Sequence, residues 1–299
     1  MSIALRSPAV RLLPILAAAW LAAACDVTIG LESGRFVERE KKDFQVTGTP
    51  DLTLSTFDGS VEIRAWDRPE VSVEVEKRGG NKQQVDEIEV KASQSGNRIT
   101  IDVVSPGHGR THFGFSSSRS ARLIVSVPRQ ANLDARTGDG SITIERINGR
   151  VQLTTGDGSV KVTEVAGELR AHTGDGSIVL DRVDGRVDAD TGDGSIALNG
   201  KLEGVRLRTG DGSVRLRADT GSRMGDDWDV HTGDGSVTLE LPEPFDADID
   251  AHTGDGTIAI QALGVKGDVS KNTVRGQIGS GGHSLRVTSG DGTIRISRS

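Results

Sequence analysis

Residues 136–162 read RTGDGSITIERINGRVQLTTGDGSVKV, with the pentapeptide TGDGS starting at Thr137 and again at Thr155. It returns at Thr173, Thr191, Thr209 and Thr232, then as TGDGT at Thr253 and SGDGT at Ser289; a related TFDGS begins at Thr56. The first five copies are spaced 18 residues apart, and the later intervals are 23, 21 and 36 residues. Between turns the chain alternates apolar and polar residues, as in Ile142, Ile144, Val151 and Leu153. Such a period-2 pattern, rich in Val, Ile and Thr and bounded by Gly and Asp, specifies β-strands.

Two strands and two turns in 18 residues fit either a β-meander, for which Asp-Gly is a good hairpin signal, or a solenoid in which like strands stack in parallel. The second turn decides. It carries an apolar residue in successive copies: Ile147, Val165, Val183 and Leu202. A hairpin tip has no interior to receive these side chains, whereas a coil corner does. Equal spacing argues the same way, because stacked coils must match in length. An outer-membrane barrel would need aromatic girdles, and aromatics make up only 3% of this chain. The expected fold is therefore all-β: a parallel β-solenoid, or β-helix, of about 18 residues per coil, with less regular N-terminal coils.

The flanking segments follow from that core. Residues 1–24 place Arg6 and Arg11 before the apolar run LLPILAAAWLAAA, too short for a comfortable membrane span and interrupted by Pro14. The run ends at Cys25, the only cysteine, in a setting that resembles a bacterial lipoprotein signal. Cys25 is the expected lipidation site; an ordinary signal peptide ending A-x-A, with Cys25 incidental, is the competing reading. Membrane attachment through the N-terminal lipid and a place in the bacterial cell envelope follow, with the periplasmic or surface face left open. Asp26 resembles the residue that retains lipoproteins at the inner membrane in enteric bacteria. Residues 25–42 read as a polar tether, 43–135 as irregular β coils and 136–299 as the regular solenoid. Within 81–92 a short helix competes with a strand, and "VDEIEV" favours the strand. The formal net charge of −7 with no basic block leaves no footprint for nucleic acid.

The segments TFDGSVEIRAWD, VSVEVEK, RITIDVV and LIVSVP, followed by the TGDGS series, resemble a bacterial family of β-strand-repeat candidate adhesins over residues 43–299. The resemblance implies a β-helix-like fold in an envelope protein and supplies no catalytic residues and no cofactor.

In the turn, the glycines are expected to permit positive φ on either side of Asp, whose carboxylate would accept the next backbone N–H groups. Stacking would set Asp139, Asp157, Asp175, Asp193 and Asp211, continued by Asp234, Asp255 and Asp291, in a ladder with a step of about 4.8 Å. A structural corner and a Ca²⁺ ladder both fit that row. One carboxylate per coil falls short of the six to eight oxygens Ca²⁺ takes, so the structural reading is preferred and no metal ligand set is assigned.

A specific site belongs where the repeat breaks. Residues 105–119 carry His108, His112, Phe113 and Phe115 and read as an end cap or loop. Residues 218–229 lengthen one repeat and gather Asp226, Asp227 and Asp229 beside Trp228, a candidate loop for a cation or a sugar stacked on the ring. Residues 262–284 read as a degenerate coil. His172, His231 and His252 precede turns, and the last two, in consecutive copies, are expected to lie about 5 Å apart. With Ser and Asp present only as repeat elements, no unique acid–base or nucleophile set stands out. The expected function is non-enzymatic: binding, adhesin-like or structural, with an envelope protein or a glycan as partner. A polysaccharide lyase or glycosidase on a β-helix, or a Ca²⁺-binding repeat protein, is the alternative.

Overall fold

The computed structural model describes residues 25–32, 35–105 and 119–299 of the chain. Residues 1–24, which carry the expected signal segment, and His108, His112, Phe113 and Phe115 lie outside the described residues.

Each regular coil has a leading strand, the TGDGS turn, a trailing strand and a second corner. The strands Ile142–Thr155, Val160–Thr173, Ile178–Thr191 and Ile196–Thr209 each run around that second corner. Successive coils pair in parallel at the sequence offset of the repeat, with Ile142 opposite Val160, Ile147 opposite Val165 and Thr155 opposite Thr173. The coils are named below by the first residue of their turns.

Alternation in the strands becomes a thin aliphatic core between two sheets. In the Thr173 coil, Leu169 and Ala171 point inward from the leading strand and Ile178 and Leu180 from the trailing strand, all buried. The four second-corner residues Ile147, Val165, Val183 and Leu202 are no more than 1% exposed, as a solenoid corner requires and a hairpin tip would not allow. That corner is made by a left-handed residue, Arg146, Glu164 or Arg182 (φ 62°, 58° and 53°), just before the inward side chain. A glycine follows, Gly149, Gly167 or Gly185, at φ between 123° and 148°, a region open essentially to glycine.

The stack order departs from the chain order at both ends. The leading strand of the Thr56 coil, Asp51–Thr56, lies between Arg98–Val104 and Asn132–Thr137. Its trailing strand, Val61–Trp66, lies between Ser120–Pro128 and the start of Ile142–Thr155. At the other end the Ser289 coil, last in sequence, inserts between the Thr232 and Thr253 coils. Ser284–Ser289 pairs with Trp228–Thr232 on one side and Ala247–Thr253 on the other, and Ile294–Arg298 does the same in the trailing sheet. One continuous core runs from Phe44 to Ile296, so the difference between 43–135 and 136–299 is one of regularity within a single body.

Antiparallel segments close the ends, and three expectations are corrected there. Residues 25–42 are not a tether: Cys25–Glu32 and Arg35–Gln45 form a hairpin whose second strand pairs antiparallel with Glu70–Gly79. Charged alternation had hidden these strands, but ion pairs satisfy the charges, with Arg39 donating to Glu32 and Glu76 at 2.8 Å each. Residues 81–92 are split between a one-turn helix, Lys82–Asp86, and the strand Glu89–Ser95. The helix starts where Asn81 Oδ1 accepts the Gln84 N–H at 2.9 Å, an N-cap in which the side chain replaces the missing backbone acceptor. Residues 262–284 hold no coil. Val265–Val269 and Thr273–Ile278 form an antiparallel hairpin laid against Ala247–Thr253.

Candidate functional site

The turn ladder is one candidate, and its chemistry assigns a job to each letter. Thr173 is fully buried. Its hydroxyl donates to Gly158 O of the neighbouring coil at 2.8 Å and accepts the Gly176 N–H at 3.3 Å. The same bond recurs from Thr155, Thr191, Thr209, Thr232 and Thr253, and from the hydroxyl of Ser289. A Cβ on Gly176 would stand 2.1 Å from Gly158 O, and one on Gly174 2.8 Å from Gly156 O. The turn glycines are therefore demanded by the close approach of stacked corners. Positive φ, the expected reason, is found at the second-corner glycines and, among these turns, only at Gly59 of TFDGS.

The carboxylates project outward. Asp139, Asp157, Asp175, Asp193, Asp211, Asp234, Asp255 and Asp291 are all exposed. Among the described residues they form no hydrogen bond or ion pair through their side chains, so the expected bonds to following N–H groups are not made. Along the edge Asp291 stands between Asp234 and Asp255, because the Gly290 corner packs on Gly233 and the Gly254 corner on Gly290. Among the described residues no three His, Cys, Asp or Glu side chains converge as metal ligands.

The second candidate lies on the outer face of the leading sheet. A cleft of about 550 Å³ is floored by Glu168, Arg170, Arg186, Asp188 and Arg206 and walled by Asp226, Asp227 and His283. The floor comes from regular coils, whose outward rows alternate in charge; Arg206 lies 3.8 Å from Asp188 and Arg170 2.7 Å from Glu168. The wall comes from two breaks in the repeat. One is the insertion after Ala218, pinned by the buried Ser222 hydroxyl, which accepts the Leu202 N–H at 2.9 Å. The other ends at His283, just before the displaced Ser289 coil. Asp226 reaches down to Arg186 at 3.0 Å, while Asp227 accepts the Ser284 N–H at 2.9 Å and faces His283 at 3.6 Å. Insertion of the final coil beside Trp228–Thr232 is what brings the breaks together.

Three sequence expectations change. Trp228 is 0% exposed, so its ring is not presented to a ligand. It occupies the inward row of its coil, opposite Leu285, and packs on Phe245 with ring centroids 5.3 Å apart. Asp229 lies outside the cleft lining and pairs with Arg208 at 2.9 Å. Nor are His231 and His252 neighbours: the strand carrying Thr288 runs between them. His172 instead meets Asp190 at 2.9 Å. Sequence reading did not single out Arg170, Arg186, Asp188 or Arg206, although the 18-residue spacing already aligned Arg170 with Asp188 and Arg206, and Glu168 with Arg186. It missed His283 because only the displaced coil brings that residue to the site.

Guanidiniums that donate and carboxylates that accept alternate across the cleft, three against four. This near balance suits a neutral ligand rich in hydroxyl groups, each able to donate and accept at once.

A search of curated proteins found no match. Among solved structures, a candidate lipid binding protein from Parabacteroides distasonis is similar, with TM-score 0.45 and 12% identity, over 86% of this chain and 96% of that one. A candidate adhesin from Bacteroides fragilis is similar with TM-score 0.37 and 9% identity, covering 87% and 97% of the two chains. A candidate cell adhesion protein from Clostridium sporogenes has TM-score 0.29 and 13% identity, covering 93% and 100%. The model of one family matches residues 50–297, most of the chain, and the protein belongs to that family, Toastrack DUF4097.

Proposed function

We propose that the protein is a lipid-anchored scaffold of the bacterial cell envelope that binds a glycan, without chemical turnover, in the cleft lined by Arg170, Arg186, Asp188, Arg206, Asp226 and Asp227. The observation that carries this reading is the convergence of two unrelated breaks in the repeat on one charge-alternating face. Along the middle of the stack the coils repeat, and a repeated surface offers no unique pocket. Support for non-enzymatic binding comes from the cleft carboxylates themselves. Asp226 is held by Arg186, and Asp227 by a backbone N–H and His283. A lyase or glycosidase would instead need carboxyl groups poised for proton transfer to a sugar. Support for the anchor comes from Cys25 and the apolar run before it. Diacyl chains stabilise attachment by about 0.8 kcal/mol per buried CH₂.

The test is a glycan array probed with the wild type and the Asp226→Asn/Asp227→Asn variant. Selective binding lost in the variant is expected; cleavage of any bound glycan, or binding indifferent to the substitutions, would overturn the reading. Palmitate labelling of wild type against Cys25→Ala tests the anchor, with label lost in the variant. Protease shaving of intact and lysed cells then assigns the face. Degradation on intact cells would favour an outward adhesin, and protection until lysis a periplasmic role.

A further inference from the structure

Among the described residues the strand Cys25–Glu32 is the outermost strand of the N-terminal cap and pairs only with Arg35–Gln45. Natural edge strands are guarded by charge or cover. This one presents Val27, Ile29 and Leu31, which are 51%, 59% and 69% exposed, on one face of the alternation. Of the exposed large apolar side chains among the described residues, these three stand together and Val179 and Val269 stand apart. Neighbouring β-side chains on a face are about 7 Å apart, so the row is a continuous aliphatic strip about 14 Å long. It starts two residues after Cys25, which follows the apolar segment 12–24 and would carry the lipid.

The strip is held firmly. Register runs from Cys25 opposite Lys42 to Glu32 opposite Arg35, and the next strand is paired from Phe36 to Gln45 with Glu70–Gly79. Arg39 ties both layers together by bonding Glu32 and Glu76. Among the described residues none covers these three side chains, and the pairing keeps them fixed close to Cys25. The acyl chains at Cys25 would bring a lipid surface to within a few ångströms of them.

We infer that Val27, Ile29 and Leu31 rest on the lipid surface, making the N-terminal hairpin a rigid foot. This inference depends on the proposed lipidation of Cys25. It gives the coils an oriented mount: β side chains stand perpendicular to their sheet, so the face that carries the strip lies against the bilayer and the coils, stacked in the plane of the sheet, run along the membrane surface.

The test uses the full chain with Cys25 intact and a nitroxide on Ile29→Cys, against Val179→Cys as an aqueous reference. Both are reconstituted in vesicles of phosphatidylcholine and phosphatidylglycerol. At position 29 the ratio of oxygen to nickel-chelate collisions is expected to exceed that at position 179 several-fold. Equal ratios, with Cys25 still taking up palmitate, would overturn the foot and leave the anchor standing. Absence of label from Cys25 would remove both. Spin–spin broadening between copies at position 29 would show a second copy covering the strip, and would also overturn the inference.

Discussion

The middle of the stack and its two ends use the same coil in different ways. From the Thr137 coil to the Thr209 coil, each turn packs on its neighbour in sequence. At each end a terminal coil is inserted between two others, so that neither the first nor the last coil of the chain is an end of the stack. A solenoid whose final coil sat outermost could fray one repeat at a time, since each repeat touches only its neighbours. Here fraying the C-terminal coil must open two interfaces together.

Deletions test this most directly. Removing residues 174–191, one full period, leaves the Thr173 position joined to a coil of identical register, and a cooperative fold with a modestly lower Tm is expected. Removing residues 284–299 takes out buried Leu285, Val287, Ile294 and Ile296 and separates the Thr232 and Thr253 coils. Each such side chain contributes about 1.5–3 kcal/mol by burial, so the sum rivals the ~5–15 kcal/mol that holds a whole domain. The end deletion is expected to lose cooperative melting in a thermal scan. Matching scans from both deletions would mean that the insertion has no locking role.

What was readable in the sequence divides along the same line. Equal spacing and the inward residues at 147, 165, 183 and 202 were enough for the coil and both its corners. Stack order was hidden because the inward rows are interchangeable Val, Ile and Leu, and every turn is the same. One signal was present. In the chain the row runs Arg170, Asp188, Arg206, Asp229, Asp250, Arg286, whereas in the stack Arg286 falls between the two aspartates and the alternation becomes regular. Trp228 was also legible: it stands four residues before Thr232, as inward-facing Val187 does before Thr191. Composition drew attention to the ring, while periodicity would have buried it. Of the cleft, Asp226 and Asp227 were singled out; the floor was aligned by the repeat but looked like any other outward row, and His283 reaches the site only through the displaced coil.

The turn glycines sharpen the comparison at single residues. Gly176→Ala in the middle and Gly292→Ala in the displaced coil both force a Cβ against a neighbouring carbonyl, at 2.1 Å and 1.9 Å. Each is expected to cost about 3 kcal/mol or more, the upper end for overpacking, and Gly174→Ala, with a 2.8 Å approach, clearly less. Urea midpoints at constant m-value measure this. A harmless Gly292→Ala would mean that the last coil does not sit on the Thr232 coil.

At the N-terminal cap the expected effect is smaller and depends on pH. Burial would push the Glu76 carboxyl up, but bonds from Arg78 at 2.7 Å and Arg39 at 2.8 Å outweigh it and hold the carboxyl below the usual range. A lowered folded-state value stabilises the fold above the unfolded pKa of about 4.3, and that stabilisation is lost as pH falls through the folded value. Glu76→Gln is expected to cost about 1.5–3 kcal/mol near pH 7, as for hydrogen bonds to charged groups. It should also flatten the fall in stability below about pH 4.3. An acid limb parallel to that of the wild type would show that Glu76 contributes nothing there.

The smallest effect is expected where the repeat looks most functional. Asp157 lies between Asp139 and Asp175 on neighbouring coils and makes no bond of its own, so its charge meets like charges at about 5 Å and little else. Each repulsion is worth about 0.8 kcal/mol in bulk water. Asp157→Asn should therefore raise stability by up to about 1 kcal/mol at low salt, with the gain gone near 1 M, where screening acts within about 3 Å. Loss of stability on substitution would mean that the carboxylate holds the corner after all. A wild-type Tm that climbs in millimolar CaCl₂ and an Asp157→Asn Tm that does not would turn the ladder into a Ca²⁺ site. Equal indifference to calcium leaves the aspartates as solvated caps on a corner made by threonine hydroxyls and glycine contacts.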